Sequence, residues 1–400
     1  MSNPSDLRVV DLFAGCGGLS CGFELAGYTI AAAYDSWQPA IDCYKDNFQS
    51  HSIFELDLSN VERASRIIAA QTPDIIIGGP PCQDFSQAGK RIENERAALT
   101  KCFAEIVAAV NPDFFVMENV ARAQRSNVYQ EARKTLKEAG YGITEIVLDA
   151  SLYDVPQRRK RFFSIGGKTL ADGELATALE ARESLIPLTI RKAYPNFPIS
   201  HYYRHPRSYT RRAIFSIDEP APTIRGVNRP RPKTYQVHPK DASKDPSVRS
   251  LSPKERLLIQ TFPEDYKFTH KCAADIDQMI GNAVPVNLAK AVAEVLAQNA
   301  LTDTPHPTQT SFRKWLISEK HLTRESAKDK ISHIRRANKC HDLPDVETVD
   351  RSYIEALESS DQFMSSSASS QQQMKKAVEL LVEFAESNFG KSGDFSATNN

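Results

Sequence analysis

The chain has 400 residues, 41% hydrophobic and 25% charged, with 50 Lys or Arg balanced by 50 Asp or Glu. This is the composition of a folded globular protein, and a net charge of zero excludes a uniformly basic surface while leaving room for a local basic face. No apolar run approaches the roughly 20 residues that cross a bilayer, the start Met-Ser-Asn-Pro-Ser-Asp lacks signal-peptide features, and seven scattered cysteines suit free thiols in a reducing compartment. A cytoplasmic chain without membrane association is therefore expected. No Cys/His cluster has zinc-ligand spacing, so no metal is expected.

Along residues 1–167, short apolar runs alternate with helical patterns. VVDLF (9–13), YTIAAAY (28–34), SIFEL (52–56), DIIIGG (74–79), DFFVMEN (113–119), ITEIVL (143–148) and FFSIGG (162–167) read as strands. Most are apolar without interruption, as expected of strands covered on both faces. LSCGFELAG, QPAIDCYKDNF, NVERASRIIAAQ, LTKCFAEIVAAVN and YQEARKTLKEAG lie between them and read as helices. Strand alternating with helix predicts an α/β fold with a doubly wound, mainly parallel sheet, whose ligands bind at the carboxyl ends of the strands.

From 168 to 280 the pattern breaks into a smaller, irregular, proline-dense domain with one clear helix, SPKERLLIQTF. The stretch His201–Tyr235 carries eight Arg or Lys against two acids, interleaved with tyrosines. An amphipathic helix within 281–300 is expected to pack back on the sheet. TDTPHPTQT (302–310) reads as a linker, and 311–390 as a helical appendage. In it Phe312, Trp315 and Leu316 form one apolar face, and Ala327, Ile331 and Ile334 another. The Ser/Gln-rich stretch Ser359–Gln373 is expected to be flexible.

Several strand ends carry chemistry. Asp11-Leu-Phe-Ala-Gly-Cys-Gly-Gly18 ends the first strand and opens a helix, with glycines that let backbone approach a ligand. Asp35 ends the second strand and Asp57 follows the third, where carboxylates can accept hydrogen bonds from a ribose and an adenine amine; each alone would read as a helix cap. In Gly78-Gly-Pro-Pro-Cys-Gln-Asp-Phe-Ser86, two prolines present Cys82 on stiff backbone at a strand end, whereas most free cysteines are small buried hydrophobes. Glu118 closes a buried strand, where a carboxylate is costly unless it is satisfied or protonated. Gln157-Arg-Arg-Lys-Arg161 leads into another apolar strand, with Arg161 positioned to point inward.

Phe-Ala-Gly-x-Gly-Gly, Gly-Pro-Pro-Cys-Gln-x-Phe-Ser, Glu-Asn-Val, Gln-x-Arg-x-Arg and Gly-Asn-Ala-Val-Pro (281–285) occur in this order over residues 8 to 298. This set resembles the motifs of the cytosine-5 DNA methyltransferases of prokaryotic restriction-modification systems. The resemblance implies the S-adenosylmethionine-dependent methyltransferase fold, with 168–280 as a target-recognition domain. It also implies S-adenosyl-L-methionine held by Phe13, Ala14, Gly15, Cys16, Gly17, Gly18, Leu19, Asp35, Ser36, Asp57, Leu58, Pro80, Leu99, Asn282 and Ala283. One departure is Ser36: the family often places an aromatic there, and here Trp37 comes one residue later. The segment between Arg161 and Ala-Pro-Thr-Ile-Arg-Gly (221–226) is also short for target recognition.

By the same resemblance, the Cys82 thiolate attacks carbon 6 of a flipped-out cytosine. Glu118 engages ring nitrogen 3, Arg161 holds the 2-carbonyl oxygen, and Arg159 supports the thiolate. Gln83, Ser86, Arg204, Arg207, Tyr209, Arg211, Arg212 and Arg225 are the candidate contacts to double-stranded DNA, with Tyr202 and Tyr203 beside them. A monomer acting on DNA, with a cognate restriction endonuclease as possible partner, is the expected setting. Two alternatives stay open: an RNA cytosine-5 methyltransferase of the same family, and a non-catalytic DNA-binding regulator.

Overall fold

The computed structural model describes residues 4–81, 90–208, 210–270, 272–300 and 312–389, without the side chains of 90–98, 299, 300, 314 and 324. It forms two compact units, one of residues 1–180 with 187–306 and one of residues 181–186 with 307–400.

In the first unit, strands β1 (Arg8–Leu12), β2 (Thr29–Asp35), β3 (Ile53–Glu55), β4 (Ile75–Gly78), β5 (Phe114–Val120) and β6 (Gly142–Asp149) are followed by a two-residue β7 (Gln157–Arg158) and by β8 (Lys160–Gly167). Seven of them make one sheet in the order β3-β2-β1-β4-β5-β8-β6. Pairings from β3 through β5 are parallel, and β8 runs antiparallel between β5 and β6. The order reverses between β1 and β4, opening the crevice in which doubly wound sheets bind ligands.

The apolar runs divide by parity, because successive strand residues face opposite sides. Val9, Ile75, Ile77, Phe114 and Val116 face one core together with Leu19, Phe23 and Val292. Val10, Ile76, Phe115 and Met117 face the other with Ala64, Phe103, Ile106 and Tyr129. Helix α1 (Gly18–Leu25) therefore covers one face. Helices α3 (Val61–Ala69), α4 (Lys90–Val110) and α5 (Asn127–Glu138) cover the other, and α2 (Gln38–Asn47) follows β2.

Beyond α6 (Ala176–Ala181) and α7 (Ile190–Ala193), two small strand pairs appear. Strand β9 (His201–Tyr203) pairs with β10 (Ile214–Ser216) antiparallel, and β11 (Ala221–Pro222) pairs with β7 parallel. Tyr202 and Tyr203 are 1% exposed and form part of the core there, so the expectation that they face DNA does not hold. Alternation along β9 would release one of them to solvent, but a second layer covers both faces: Phe215 and Ile217 on Tyr202, Val248 and Tyr235 on Tyr203.

Helices α8 (Pro253–Ile259), α9 (Ala273–Asn282) and α10 (Val286–Ala300) return the chain to the sheet. A capping box between Ser252 and Glu255 starts α8. The stretch Ala273–Gln298 has the length and hydropathy of a membrane span, but 72% of its apolar window is buried in the protein, which makes it core. Gly281 permits the return: a Cβ there would lie 2.0 Å from the backbone nitrogen of Gly226.

The second unit contains α11 (Phe312–Ser318), α12 (Arg324–Cys340), α13 (Arg351–Glu358), α14 (Asp361–Met364) and α15 (Ala368–Phe389) around Phe312, Trp315, Ile334, Leu357, Leu381 and Phe384. Leu185 and Ile186 pack on this core. Glu183 accepts from Arg313 at 2.7 Å and Arg335 at 3.3 Å, and Arg335 Nε donates to the Leu185 carbonyl at 2.9 Å. Six residues from the middle of the catalytic chain thus belong to the appendage. The stretch Ser359–Gln373, expected to be flexible, is largely helical. Phe363 is buried, Ser360 caps α14, and the Gln371 amide donates to the carbonyls of Phe363, Met364 and Ser366, which satisfies the turn between α14 and α15.

Candidate active site

The turn after β1 has three residues in the left-handed region within five positions: Phe13 (φ 57°), Gly15 (φ 57°) and Gly17 (φ 82°). For an aromatic residue this conformation is strained. Asp35 at the end of β2 holds the turn, its Oδ2 accepting from Gly15 N at 2.8 Å and its Oδ1 from Trp37 N at 2.8 Å. Burial is the largest influence on this carboxyl and raises its pKa against those bonds. It braces the glycine turn and is not a helix cap, since the N-cap of α2 is Trp37 and has no side-chain cap bond.

Space for a ligand exists at the turn, since a Cβ on Gly15 would meet nothing within 4 Å. Gly18, in contrast, lies under the returning chain, where a Cβ would sit 2.3 Å from the Val284 carbonyl. Ala14, Cys16, Leu19 and Leu58 are buried, Phe13 and Leu99 half-buried, and Ser36 and Asn282 exposed. Asp57 is exposed, accepts from Ser59 N at 2.9 Å, and is held below the usual carboxylate range by Ser59. Ala283 is 9% exposed next to Val284. Beneath the turn, Asp11 is fully buried; one oxygen accepts from Ser20 and the other has no hydrogen-bond partner.

The second group gathers where β4, β5 and β8 end. Cys82, Gln83 and Ser86 lie outside the described residues, as does Tyr209. The approach to Cys82 is defined: the Asn119 amide donates to the Pro80 carbonyl at 3.2 Å, and Glu118 Oε2 is 3.3 Å from where a Gly79 Cβ would stand. In the β5–β8 register Glu118 opposes Phe163 and Val120 opposes Arg161, so Glu118 and Arg161 share a face as diagonal neighbours. Arg161 Nε lies 2.7 Å from Glu118 Oε1, an ion pair between two largely buried side chains. Burial raises the Glu118 pKa, and the charges of Arg161 and Arg159 only partly oppose it.

Arg159 is 1% exposed. Its terminal nitrogens donate to the carbonyls of Ile224, Gly281 and Ala283 at 2.9, 2.9 and 3.0 Å. Gln157 and Gln260 complete the joint, with Gln157 Nε2 on Gln260 Oε1 at 2.7 Å and Gln260 Nε2 on the Ile280 carbonyl at 2.6 Å. The direct contacts of Arg159 are thus to backbone that carries Ala283. Gln260 was not singled out in the sequence; its place two residues before Phe262-Pro263 gives no chemical signal.

The third group is a cavity of about 680 Å³ lined by Arg204, Arg207, Arg211, Arg212, Arg225 and Lys240, with Thr223 and His238. No carboxylate is among its lining residues. Burial and the neighbouring charge of Arg225 push the Arg204 pKa down to about 10. Arg212 differs from the rest: its guanidinium pairs with Glu219, at 3.0 Å for the longer bond, and lies 4.4 Å over the Phe215 ring. Lys240 and His238 lie outside the basic run that the sequence made visible.

Among the described residues, His270, Cys272 and Asp275 bring ligand atoms within 4.8 Å of one another. His270 Nε2 meets Asp275 at 2.7 Å, which accounts for their approach as an ion pair or hydrogen bond at the start of α9.

A doubly wound sheet with an antiparallel strand inserted near one edge, a strained glycine turn and a buried Glu–Arg pair defines the class as a methyltransferase fold. Solved structures agree: a prophage-encoded DNA modification methyltransferase of E. coli has a TM-score of 0.54 at 23% identity, covering 74% of this chain and 100% of that one. The S. pombe Dnmt2 methyltransferase has a TM-score of 0.55 at 18% identity, covering 74% and 99%. The profile of the C-5 cytosine-specific DNA methylases matches residues 7–192 and 181–298. Type II methyltransferase M.HgiDI of Herpetosiphon aurantiacus is 51% identical over 308 residues, covering 76% of this chain and 98% of that protein. Type II methyltransferase M.HindV of Haemophilus influenzae is 50% identical, covering 72% and 96%. The chain belongs to the C-5 cytosine-specific DNA methylase family, and it is a DNA (cytosine-5-)-methyltransferase.

Proposed function

We propose that Cys82, Glu118 and Arg161 carry the methylation and that the turn 13–18 with Asp35 and Asp57 holds S-adenosyl-L-methionine. The observation that carries this reading is the convergence, at one strand edge, of the buried Glu118–Arg161 pair with the 78–81 loop that leads to Cys82. The cofactor turn fits the group, because Gly15 leaves open space beside a carboxylate already fixed by two backbone N–H groups. When bound, the cofactor supplies an electrophilic methyl group on a positively charged sulfur.

Cytosine carbon 5 is a weak nucleophile. The Cys82 thiolate adds to carbon 6 of the ring, and protonated Glu118 donates to nitrogen 3 as electron density moves onto the ring. Burial raises the Glu118 pKa, which favours the donating form. Arg161 stabilises charge at the 2-carbonyl oxygen. After carbon 5 is methylated, a base or water takes its proton, the double bond re-forms with expulsion of the Cys82 thiolate, and nitrogen 3 returns its proton to Glu118. Arg159 sets the backbone around Ala283 and contributes a buried positive charge near Glu118.

Ring atoms are inaccessible inside a duplex, so the target cytosine flips out of double-stranded DNA. Arg204, Arg207, Arg211 and Arg225 of the basic cavity contact that DNA together with Gln83, Ser86 and Tyr209, while Arg212 is held by Glu219. Residues 168–280 act as the target-recognition domain. The enzyme works as a monomer in the cytoplasm, protecting a specific site from a cognate restriction endonuclease. Cys82→Ser lowers methyl transfer by orders of magnitude while DNA binding persists. DNA carrying 5-fluorocytosine traps the wild type covalently and not the variant, and near-normal turnover of Cys82→Ser refutes the assignment.

A further inference from the structure

Asp11 sits at the end of β1, directly beneath the cofactor turn, and it is the start of a hydrogen-bonded chain. Ser20 Oγ donates to Asp11 Oδ2 at 2.6 Å, and Tyr44 OH donates to Ser20 Oγ at 2.7 Å. Tyr44 OH meets His51 Nε2 at 2.6 Å, and His51 Nδ1 lies 3.2 Å from Glu24 Oε1. Exposure rises along the chain. Asp11 and Ser20 are fully buried, the His51 side chain is 2% exposed, and that of Glu24 is 30% exposed. The chain runs from a closed interior to solvent.

The charges around Asp11 are unfavourable to its anion. Burial lifts its pKa to about 7, and the like charge of Asp35 from β2 adds to the rise. Burial also raises the pKa of Tyr44 from α2, Cys21 from α1 and Cys16 in the turn, and the charge of Glu24 from α1 adds to the rise at Tyr44 and Cys21. No cation acts on Asp11 among the described residues. Asp11 Oδ1 is buried without a hydrogen-bond partner.

We propose that Asp11 gives up its proton through Ser20, Tyr44 and His51 to Glu24 when a cationic cofactor enters the turn, so that the turn favours the sulfonium cofactor over its neutral-sulfur product. The inference rests on the reading that residues 13–18 hold S-adenosylmethionine. The protons balance along the chain. With Asp11 neutral, Asp11 O–H donates to Ser20, Ser20 to Tyr44, Tyr44 to His51 Nε2, and His51 Nδ1–H to Glu24. On ionisation each hydrogen shifts one place: Ser20 gains that of Asp11, Tyr44 that of Ser20, His51 Nε2 that of Tyr44, and Glu24 that of His51 Nδ1. His51 changes tautomer and stays neutral, and Glu24 releases the proton to water. The Asp11 anion beneath the turn would then attract the ligand's positive charge through a low-dielectric interior. Methyl transfer removes the sulfonium charge and with it part of this attraction, which assists product release.

The test is calorimetric titration of the intact enzyme with S-adenosylmethionine near pH 7, in buffers of different ionisation enthalpy. The wild type is expected to release a fraction of a proton with this ligand and less with S-adenosylhomocysteine. Asp11→Asn, which keeps an oxygen for Ser20, is expected to release none and to lose about tenfold in its preference for the cofactor over the product. In rapid mixing with a pH indicator, Tyr44→Phe is expected to delay proton release behind binding. A wild type whose heat is independent of the buffer overturns the proposal without any variant, as does Asp11→Asn with undiminished proton release. Prompt release in Tyr44→Phe overturns the chain as the route. If Asp35→Ala leaves cofactor affinity unchanged, the site reading itself fails; if it weakens affinity while the wild type releases no proton, this proposal alone fails.

Discussion

At the carboxyl edge of the sheet, Asp11 Oδ1 is buried without a hydrogen-bond partner, and burial raises the Glu118 pKa against the charge of Arg161. In the helical unit, Glu183 accepts from both Arg313 and Arg335, and Lys320 pairs with Glu383. Poorly satisfied buried charge is expensive, and it persists where its energy does chemical work. The helical unit carries these charges as ion pairs of opposite sign. The contrast separates the part of the chain shared with its relatives from the part beyond: M.HgiDI is covered over 98% of its length by 76% of this chain, and the matched family profile ends at residue 298. The helical unit lies after that point, apart from its 181–186 strap.

The sharpest way to break the contrast is Glu118→Gln. A lost general acid lowers turnover by about 10²–10⁴-fold, and single-turnover methylation measures it. The pH dependence carries a sign. Because burial raises the Glu118 pKa, the folded protein holds this proton longer than the unfolded chain does. Stability contributed by the neutral carboxyl is present below the ordinary carboxylate range and is lost as pH rises toward the raised folded value. In Glu118→Gln that pH dependence of melting temperature disappears. A variant with wild-type turnover makes Glu118 a merely buried acid.

Next in size is Asp35→Ala. Its carboxylate makes two charge-assisted bonds to backbone N–H groups. Losing one charge-assisted bond from Asp35 to the cofactor's ribose costs roughly 1.5–3 kcal/mol, so cofactor affinity is expected to fall by about 10- to 100-fold in a calorimetric titration while DNA site preference stays the same. Unchanged affinity removes Asp35 from the cofactor site.

How much of this edge was readable depends on which physics writes the pattern. The glycine turn, Asp35 and the Glu118–Arg161 pair were legible because backbone strain and buried charge demand particular residue types at strand ends. All seven main strands were legible as apolar runs. Strand order was not: nothing in FFSIGG says that β8 inserts antiparallel between β5 and β6, since periodicity records burial and not neighbours. Tyr202 and Tyr203 misled because a basic neighbourhood is visible in sequence while a second covering layer is not. The helix α13 and the helical part of Ser359–Gln373 were hidden for a related reason. Polar residues dominate there, and a few anchors such as Tyr353, Leu357 and Phe363 hold the segment on the core. The strap 181–186 was unreadable, because its partners Arg313 and Arg335 lie 130 and 152 residues away from Glu183.

The strap supplies the third prediction. Glu183→Gln removes the carboxylate that pairs with two partly buried arginines. Breaking a fully buried pair costs about 3–5 kcal/mol; partial exposure of these three side chains reduces that to roughly 2 kcal/mol. Hydrogen exchange is expected to rise in α11 and α12, with methyl transfer unchanged. Loss of activity in step with the added exchange would make the helical unit part of the catalytic machinery and erase the contrast.

The smallest expected effect concerns DNA. Lys328, Arg336 and Lys339 project from the solvent-exposed face of α12, and Arg335, in contrast, is held by the strap. Spacings of three, eight and eleven residues place those three side chains on one side of the helix, although Glu325 and Asp329 share that side and dilute its charge. Each phosphate neutralised contributes about 0.9 to the salt slope of DNA binding. Reversing all three charges together (K328E, R336E and K339E) therefore lowers the slope by as much as about 2.7 if every one of them meets a phosphate. Affinity at low salt falls several-fold, and melting temperature stays within a degree or two because no buried pair is touched. This route is cleaner than truncation, which would strip the helices from Leu185 and Ile186 and confuse lost contacts with exposed apolar surface. Binding isotherms between 50 and 200 mM salt decide the matter. An unchanged slope and affinity mean that the helical unit packs and does not touch DNA, and the contrast between a reactive edge and a packing appendage then holds at the surface as well as in the core.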